Sequence, residues 1–371
     1  MADLTTKFTG LTFENPFLLA SAPPTESDAN IIRAFEAGWG GVVTKTIGLH
    51  PVANVKGPKT KFLRAENNGT RMSMNKRPDT TLMASWNWEL ISDKPLDWWI
   101  GKLARIKKQF PTRMLVASIM AGSGNDKELH NWQTLAKACI DEGVDALELN
   151  FSCPHMDRID MGSNVGKDKV LCSVVTQAVK EVATVPVWVK LTPATSNIVE
   201  EAKATLLGGA DAICSSNTWP SLPLIDPNTL DFEMSVEGLV SPGGLGGPAI
   251  LPLSMAKMAQ MTKAFPDSEF SGIGGVSTFE HALNYFLLGC GTVQVCTAAM
   301  LDSAIGPNVI KTLLAGMAEF HDKRGFASLS DYRGLRRDAV VTHSQIKRPD
   351  TVDYHGGYKD EEHEHEGYAR V

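Results

Sequence analysis

The stretch LHNWQTLAKACIDEGVDALELN, residues 129–150, contains one helix-to-strand unit and decides the fold class. Its first part is typical of a helix, and the glycine at 143 fits a left-handed cap. The run ALELN at 146–150 is typical of a short buried strand. Comparable glycine-ended units recur as EAGWGG, LGGAD and LLGCG. Helical stretches that alternate with buried strands predict a parallel sheet built from βα units.

Eight candidate strands follow from this pattern. They are residues 17–21, 41–45, 114–119, 146–150, 185–191, 212–216, 270–274 and 292–296. A (β/α)8 TIM barrel needs eight such units in about 250 residues and tolerates insertions. The predicted fold is therefore an α/β TIM barrel with a long insert at 47–100 after strand 2 and a second insert at 217–248. The barrel is predicted to span 1–335, and a polar C-terminal extension 336–371.

The composition is that of an ordinary globular protein, with 43% hydrophobic and 21% charged residues. A formal net charge of -6 provides no basic surface for nucleic acid or an anionic membrane. The N-terminus MADLTTKFTGLTFENP lacks the basic and apolar regions of a signal peptide, and no apolar run reaches the roughly 18 residues of a membrane span. We expect a cytoplasmic protein that binds neither nucleic acid nor a membrane.

The cysteines are distributed singly. None of Cys139, Cys153, Cys172, Cys214, Cys290 and Cys296 belongs to a C-x-x-C pair, which excludes a ferredoxin-type cluster motif and a zinc ribbon. No metal site is predicted.

Side chains at the carboxyl ends of barrel strands converge on the active site. Here those positions are Ala20, Ser21, Lys45, Thr46, Asn150, Lys190, Ser216, Asn217, Gly274, Gly275, Cys296 and Thr297. Each of the two lysines either pairs with a carboxylate at the rim or faces an electron-rich ring or an anion. The turns GIGGVS at 272–277 and CTAAM at 296–300 follow strands seven and eight, where barrels often bind phosphate. They predict a phosphorylated cofactor across the barrel mouth.

The loop after the fourth strand carries Cys153 within LNFSCPHM, residues 149–156. A thiol over the barrel mouth can be a nucleophile, a metal ligand, an acid/base or a buried loop residue. An ordinary cysteine pKa of about 8.5 is close enough to neutrality for proton transfer.

Several of these motifs together resemble those of the dihydroorotate dehydrogenase-type flavoproteins over roughly residues 5–335. LELNFSCPH at 147–155 is similar to their Asn-x-Ser-Cys-Pro motif, in which the cysteine is the acid/base. TKT at 44–46 and VKLTP at 189–193 resemble the two lysine motifs, and SSNT at 215–218 resembles part of the FMN-binding end. NWELIS at 87–92 looks like the pyrimidine-contacting segment of dihydropyrimidine dehydrogenase, whose pyrimidine-reducing domain the chain resembles most closely.

The resemblance implies a flavin, FMN, and a role for each matched residue. FMN would be held by Ala20, Ser21, Lys45, Thr46, Asn150, Lys190, Ser216, Gly247, Gly274, Gly275, Cys296 and Thr297. A pyrimidine or similar cyclic amide would be held by Asn87, Glu89, Ile91, Asn150, His155, Asn217 and Thr218. Cys153 would exchange a proton with one ring carbon, and Lys190 would stabilise negative charge on the reduced flavin. GGLGG at 243–247 is interpreted as a flavin loop.

The predicted function is an FMN-dependent oxidoreductase that acts on the C5–C6 bond of uracil, thymine or a relative. Because the chain has no cysteine cluster, we expect an electron-transfer partner subunit that carries an iron–sulfur centre or FAD, or a soluble donor. A homo-oligomer is also expected.

Three alternatives stay open. Dihydroorotate oxidation requires a basic contact for a carboxylate, for which Lys45 is available, although Glu89 beside the ring would repel that carboxylate. A Schiff-base aldolase would use Lys190 as its nucleophile. A non-enzymatic scaffold would dock through the tryptophan-rich insert. Three roles are open for the four tryptophans of the insert, which either line the substrate mouth, form an interface or pack in the core. They are Trp86, Trp88, Trp98 and Trp99.

Overall fold

The computed structural model describes residues 3–50, 52–66, 71–75, 80–154, 158–301 and 306–347. Strands in these ranges are β1 (Thr6–Phe8), β2 (Leu11–Phe13), β3 (Phe17–Leu19), β4 (Gly41–Val43), β5 (Thr60–Glu66), β6 (Met72–Ser73), β7 (Thr80–Asn87), β8 (Met114–Ile119), β9 (Ala146–Phe151), β10 (Val187–Leu191), β11 (Ala212–Ser215), β12 (Trp219–Ser221), β13 (Gly243–Gly246), β14 (Glu269–Ile273) and β15 (Thr292–Val295). The α-helices are α1 (Asp28–Ala37), α2 (Leu96–Trp99), α3 (Lys102–Gln109), α4 (Asp126–Asp141), α5 (Lys169–Lys180), α6 (Ile198–Leu207), α7 (Leu251–Ala264), α8 (Phe279–Leu288), α9 (Thr297–Met300) and α10 (Val309–Arg324).

Eight parallel strands close into a barrel in the order β3-β4-β8-β9-β10-β11-β14-β15. Each one coincides with a strand predicted from the sequence, so the (β/α)8 barrel is confirmed. Strands β8, β9 and β10 are buried along their whole length, as expected for parallel strands covered by helices outside and side chains inside. The glycines that follow α1, α4 and α8 have positive φ angles of 115°, 84° and 112°, which agrees with the predicted left-handed ends.

The amino end of the barrel is closed by an apolar plug. The hairpin β1–β2 places Phe8 and Phe13 against Trp188 of β10, and the Phe8 and Trp188 ring centroids are 5.1 Å apart. Leu18, Val116 and Ala146 belong to the same buried cluster. Because this end is filled by hydrocarbon, polar side chains inside the barrel are concentrated toward the carboxyl end of the strands.

The two predicted inserts pair with each other. Strands β5, β6 and β7 follow β4, strands β12 and β13 follow β11, and together they form a five-stranded sheet in the order β12-β13-β7-β5-β6. Because both inserts leave the barrel after a strand, this sheet lies at the carboxyl-end mouth. Trp86, Trp88 and Trp99 are buried, so the core-packing alternative is correct for these three, whereas Trp98 is partly exposed.

The prediction of a loop at GGLGG is wrong in one respect, because residues 243–246 form strand β13. The glycines make this strand possible because neighbouring side chains lie directly over them. A β-carbon on Gly243 would overlap the ring of Trp86, and one on Gly244 would overlap Thr218. Gly247, just beyond the strand, has a φ of 86° and borders the cavity described below.

The close packing of a glycine in β14 links the barrel wall to the predicted phosphate turn. An added β-carbon on Gly272 would lie 2.5–2.7 Å from atoms of Tyr285, whose hydroxyl is 2.7 Å from the carbonyl oxygen of Gly274. We expect Gly272→Ala to lower the free energy of unfolding by about 1–3 kcal/mol through overpacking. The measurement is urea unfolding, with Gly306→Ala as the control because its β-carbon would meet, within the described part of the chain, only Ala299 O at 3.5 Å. Equal stability of the two variants would contradict this account.

The chain continues past the predicted barrel boundary at residue 335. Arg336 N donates to Leu287 O at 2.9 Å, and Arg337 Nη1 donates to Pro266 O at 3.1 Å. Residues 348–371 lie outside the described residues, so the boundary and the His/Glu-rich tail stay predictions. Among the described residues no helix has the length and apolar character needed to cross a membrane. The cytoplasmic location also stays a prediction.

Candidate active site

One cavity opens at the carboxyl end of the barrel strands. With the exception of His155, which lies outside the described residues, every predicted site residue lines it. They are Ala20, Ser21, Lys45, Thr46, Asn87, Glu89, Ile91, Asn150, Cys153, Lys190, Ser216, Asn217, Thr218, Gly247, Gly274, Gly275, Cys296 and Thr297. The structure therefore brings together residues from the barrel strands and from both inserts.

Asn150 at the end of β9 organises the cysteine loop. Its Oδ1 accepts hydrogen bonds from Ser152 N at 3.0 Å, Ser152 Oγ at 2.9 Å and Cys153 N at 3.1 Å. Its Nδ2 donates to Thr46 Oγ1 at 2.8 Å. The sequence suggested that Asn150 contacts both cofactor and substrate, but these four bonds leave one N–H of the amide for a ligand. Asn150 therefore mainly fixes the position of Cys153.

Asn217 joins the loop after β11 to the same cysteine loop. Its Nδ2 donates to the carbonyl oxygen of Ser152 at 3.0 Å and to Ser152 Oγ at 2.9 Å. Its Oδ1 accepts from Thr218 N at 2.8 Å. An amide offers two donors, so Asn217 can serve a ligand here only as an acceptor. The two neighbouring loops are held as one unit at the mouth.

Lys45 and Glu89 form an ion pair inside the cavity. Lys45 Nζ donates to Glu89 Oε2 at 3.1 Å, and both side chains are largely buried. The main-chain N–H of Glu89 is held by Asn87 Oδ1 at 3.2 Å. The predicted cofactor lysine and the predicted substrate carboxylate therefore neutralise one another across the site.

Sequence reasoning missed two polar residues below the cavity. Glu148 is fully buried, and its Oε1 lies 3.6 Å from Lys190 Nζ. Gln294 donates from Nε2 to Glu148 Oε2 at 2.7 Å and borders the cavity. The alternation of side chains along a strand could have identified them, because residues two positions apart point to the same face. Glu148 precedes Asn150 by two positions, and Gln294 precedes Cys296 by two positions.

The glycine turn after β14 lies against the start of α7. Gly274 and Gly275 have φ angles of 121° and 80°, and a β-carbon on Gly275 would lie 2.7 Å from the main-chain nitrogen of Leu251. This close approach leaves backbone at the cavity wall, as a phosphate site requires. Thr60 Oγ1 and Gln294 Oε1 also border the cavity and are buried without a hydrogen-bond partner in the described part of the chain. The residues present fit a phosphorylated, polar cofactor.

A second thiol, that of Cys296, lines the same cavity as Cys153. Burial raises the pKa of Cys296 to about 11, against the opposing effect of Lys190 and Lys45. Its Sγ contacts Met300 Sδ at 3.6 Å. Cys296 is therefore a neutral thiol near pH 7 and is suited to packing rather than to proton exchange.

Known proteins with related sequences define the family. A family model described as dihydroorotate dehydrogenase matches residues 90–317, more than half of the chain. The chain belongs to the dihydroorotate dehydrogenase family. It is 38% identical to a chloroplastic dihydropyrimidine dehydrogenase (NADP(+)) of Arabidopsis thaliana over 352 residues, 93% of this chain and 79% of the relative. It is 35% identical to subunit PreA of the NAD-dependent dihydropyrimidine dehydrogenase of Escherichia coli K12, with 93% and 80% coverage.

The chain is also similar to dihydroorotate dehydrogenases. The catalytic subunit of dihydroorotate dehydrogenase B (NAD(+)) from Thermoplasma acidophilum is 29% identical over 336 residues, 90% of this chain and 99% of the relative. The prediction of a dihydropyrimidine dehydrogenase-like oxidoreductase is confirmed. The roles of individual site residues stay predictions.

Proposed function

We propose that the protein is an FMN-dependent oxidoreductase that acts on the C5–C6 bond of a pyrimidine or a similar cyclic amide. The observation that carries the proposal is the single cavity in which Cys153, Lys190 and the amides of Asn87, Asn150 and Asn217 meet. Amides and one carboxylate complement a flat ring with alternating N–H and C=O groups. The names of the relatives, with which more than 90% of the chain aligns, support the same substrate class.

FMN would be held by the lysines, the strand-end polar residues and the glycine turn, and when bound it would exchange a hydride with the ring. Cys153 exchanges the proton at the neighbouring carbon, because it lines the cavity from a loop that Asn150 holds in place. Lys190 presents its ammonium group to the cavity, where it favours electron density on the cofactor. Ile91, which lines the cavity, excludes water from the ring.

Glu89 and Lys45 argue against a carboxylated substrate such as dihydroorotate. The carboxylate of Glu89 repels a second carboxylate, and the charge of Lys45 is already neutralised at 3.1 Å. A Schiff-base aldolase is also less well supported. Its nucleophile must be a neutral amine, whereas Lys190 lies in a buried ion pair with Glu148 at 3.6 Å.

Two partners are part of the proposal. The printed name of the Escherichia coli relative calls that protein a subunit, which favours an electron-transfer partner for this chain, carrying an iron–sulfur centre or FAD. A homo-oligomer is supported by four exposed apolar residues in the second insert, Leu222, Ile225, Leu230 and Leu239. Light scattering of the purified protein tests whether it forms a homo-oligomer.

An anaerobic visible spectrum tests the proposed reaction. We expect a flavin band that bleaches on titration with dihydrouracil, and bleaching at least about a hundredfold slower with dihydroorotate, because opposed like charges cost several kcal/mol. Glu89→Gln keeps the shape of the side chain and removes its charge. It should reduce the ratio of the bleaching rate with dihydrouracil to that with dihydroorotate about tenfold. A flavin band that neither compound bleaches withdraws the pyrimidine substrate. Absence of a band after addition of FMN, together with borohydride reduction of an imine between Lys190 and an added carbonyl compound to a stable amine, favours the aldolase.

A further inference from the structure

The interior of the barrel holds a pair of opposite charges that the proposed reaction uses only in part. Glu148 and Lys190 lie on the adjacent strands β9 and β10, where Glu148 pairs in register with Trp188, two positions before Lys190. Both point into the barrel above the apolar plug, and their side chains are 0% and 4% exposed. Gln294, on β15 at the opposite side of the barrel, reaches across to Glu148 Oε2.

We propose that Glu148, held by Gln294, is the positioning residue that pairs with Lys190 inside the barrel and aims its ammonium group at the cavity. The inference rests on the proposed function for its use, since Lys190 faces the proposed flavin site. It does not require Glu148 to touch cofactor or substrate, because Glu148 lies behind the lysine. Gln294 fixes one carboxylate oxygen and thereby leaves Oε1 directed to the ammonium group.

The physical reason is the cost of an isolated buried charge. An ammonium group out of water keeps its proton only when an opposite charge or hydrogen bonds replace its hydration. Glu148 is the carboxylate within 4 Å of Lys190 Nζ among the described residues. Removal of one partner of a buried pair leaves the other uncompensated, so Lys190 should react more readily with an electrophile once Glu148 is removed.

The other ionisable groups around Lys190 do not replace Glu148. Lys45 and Glu89 face the same cavity but cancel one another as an ion pair. The thiol of Cys214 on β11 has a pKa well above its usual value, chiefly through burial, and that of Cys296 is raised to about 11. Cys153 lines the cavity as well, from the loop at its mouth.

Competitive acetylation of the flavin-free protein tests the proposal directly. Acetic anhydride reacts with neutral amines, and mass spectrometry gives the labelling of Lys190 relative to Lys45 in the same cavity. In Glu148→Gln we expect this ratio at pH 7.5 to rise at least about tenfold, because Lys190 then has no carboxylate partner in the barrel. Glu148→Asp keeps the charge and should stay within about threefold of the original protein.

Glu201→Gln is the matched control. Glu201 is also buried, with Oε1 bonded to Thr195 Oγ1 at 2.8 Å and Oε2 without a hydrogen-bond partner among the described residues, but it lies on α6 and does not line the cavity. Its substitution should leave the labelling ratio unchanged. An unchanged ratio in Glu148→Gln, or an equal rise in both variants, overturns the proposal.

A second variant keeps the test decisive if Glu148→Gln does not fold. Gln294→Leu removes the donor to the carboxylate and should raise the labelling ratio about threefold, since hydrogen bonds to an ionised group are among the stronger ones. No rise in Gln294→Leu would overturn the proposal, since Glu148 acts in it through the hydrogen bond from Gln294. Because the measurement needs no flavin, failure of FMN binding would refute the proposed function without affecting this result.

Discussion

Cys153→Ala lowers the rate of flavin reduction by dihydrouracil by about 10²–10⁴-fold, while the visible spectrum of bound FMN stays that of the unmodified protein. The magnitude is that of a lost acid/base group in a positioned site. Alanine removes the thiol and keeps the backbone, so the hydrogen bond from residue 153 N to Asn150 Oδ1 at 3.1 Å is retained. The measurement is anaerobic stopped-flow spectroscopy of the flavin band.

The control for this prediction is the substitution of a different cysteine, one that lies outside the cavity. Cys139 is buried in α4, where burial raises its pKa to about 12. Cys139→Ala should therefore change the reduction rate by no more than about twofold, apart from a modest loss of stability. A rate in Cys153→Ala within tenfold of the unmodified protein would remove the cysteine from the mechanism.

The barrel and the membership of the site could be predicted because both follow from local patterns. Eight apolar runs alternate with helical stretches, several of which end in glycine. The residues after each run must meet at one end of a closed parallel sheet. For this reason Lys45, Asn150 and Lys190 were expected at one site, and the structure places them there.

The features that could not be predicted from the sequence depend on contacts between residues far apart in the chain. Strand β13 pairs with β7 through Leu245 and Trp86, and Gln294 reaches Glu148 across the closed barrel. Neither pairing has a local pattern in the chain. The sequence also does not show which polar atoms of Asn150 bond to the protein and which remain for a ligand. A motif fixes the residue type but not the partners of each of its atoms.

Asn150→Ala should have the second large effect, because it affects stability and reaction rate together. The substitution leaves the N–H groups of Ser152 and Cys153 and the hydroxyl of Ser152 without their common acceptor. Each unsatisfied buried donor costs about 1–3 kcal/mol, and partial access of water to the loop brings the expected loss to about 3 kcal/mol in total. Urea unfolding measures this loss.

The same variant should slow flavin reduction at least about a hundredfold, because a thiol displaced by about 1 Å loses its alignment with the ring. Alkylation of Cys153 by iodoacetamide should become faster as the loop loosens. Asn150→Asp is the matched variant, since it keeps an acceptor oxygen for the cysteine loop. It loses the donor to Thr46 Oγ1, which is 2.8 Å away, and adds a carboxylate charge that Lys190 on the adjacent strand offsets. It should retain most of the stability. If both variants lose stability equally, the bond to Thr46 rather than the cysteine loop determines the role of Asn150.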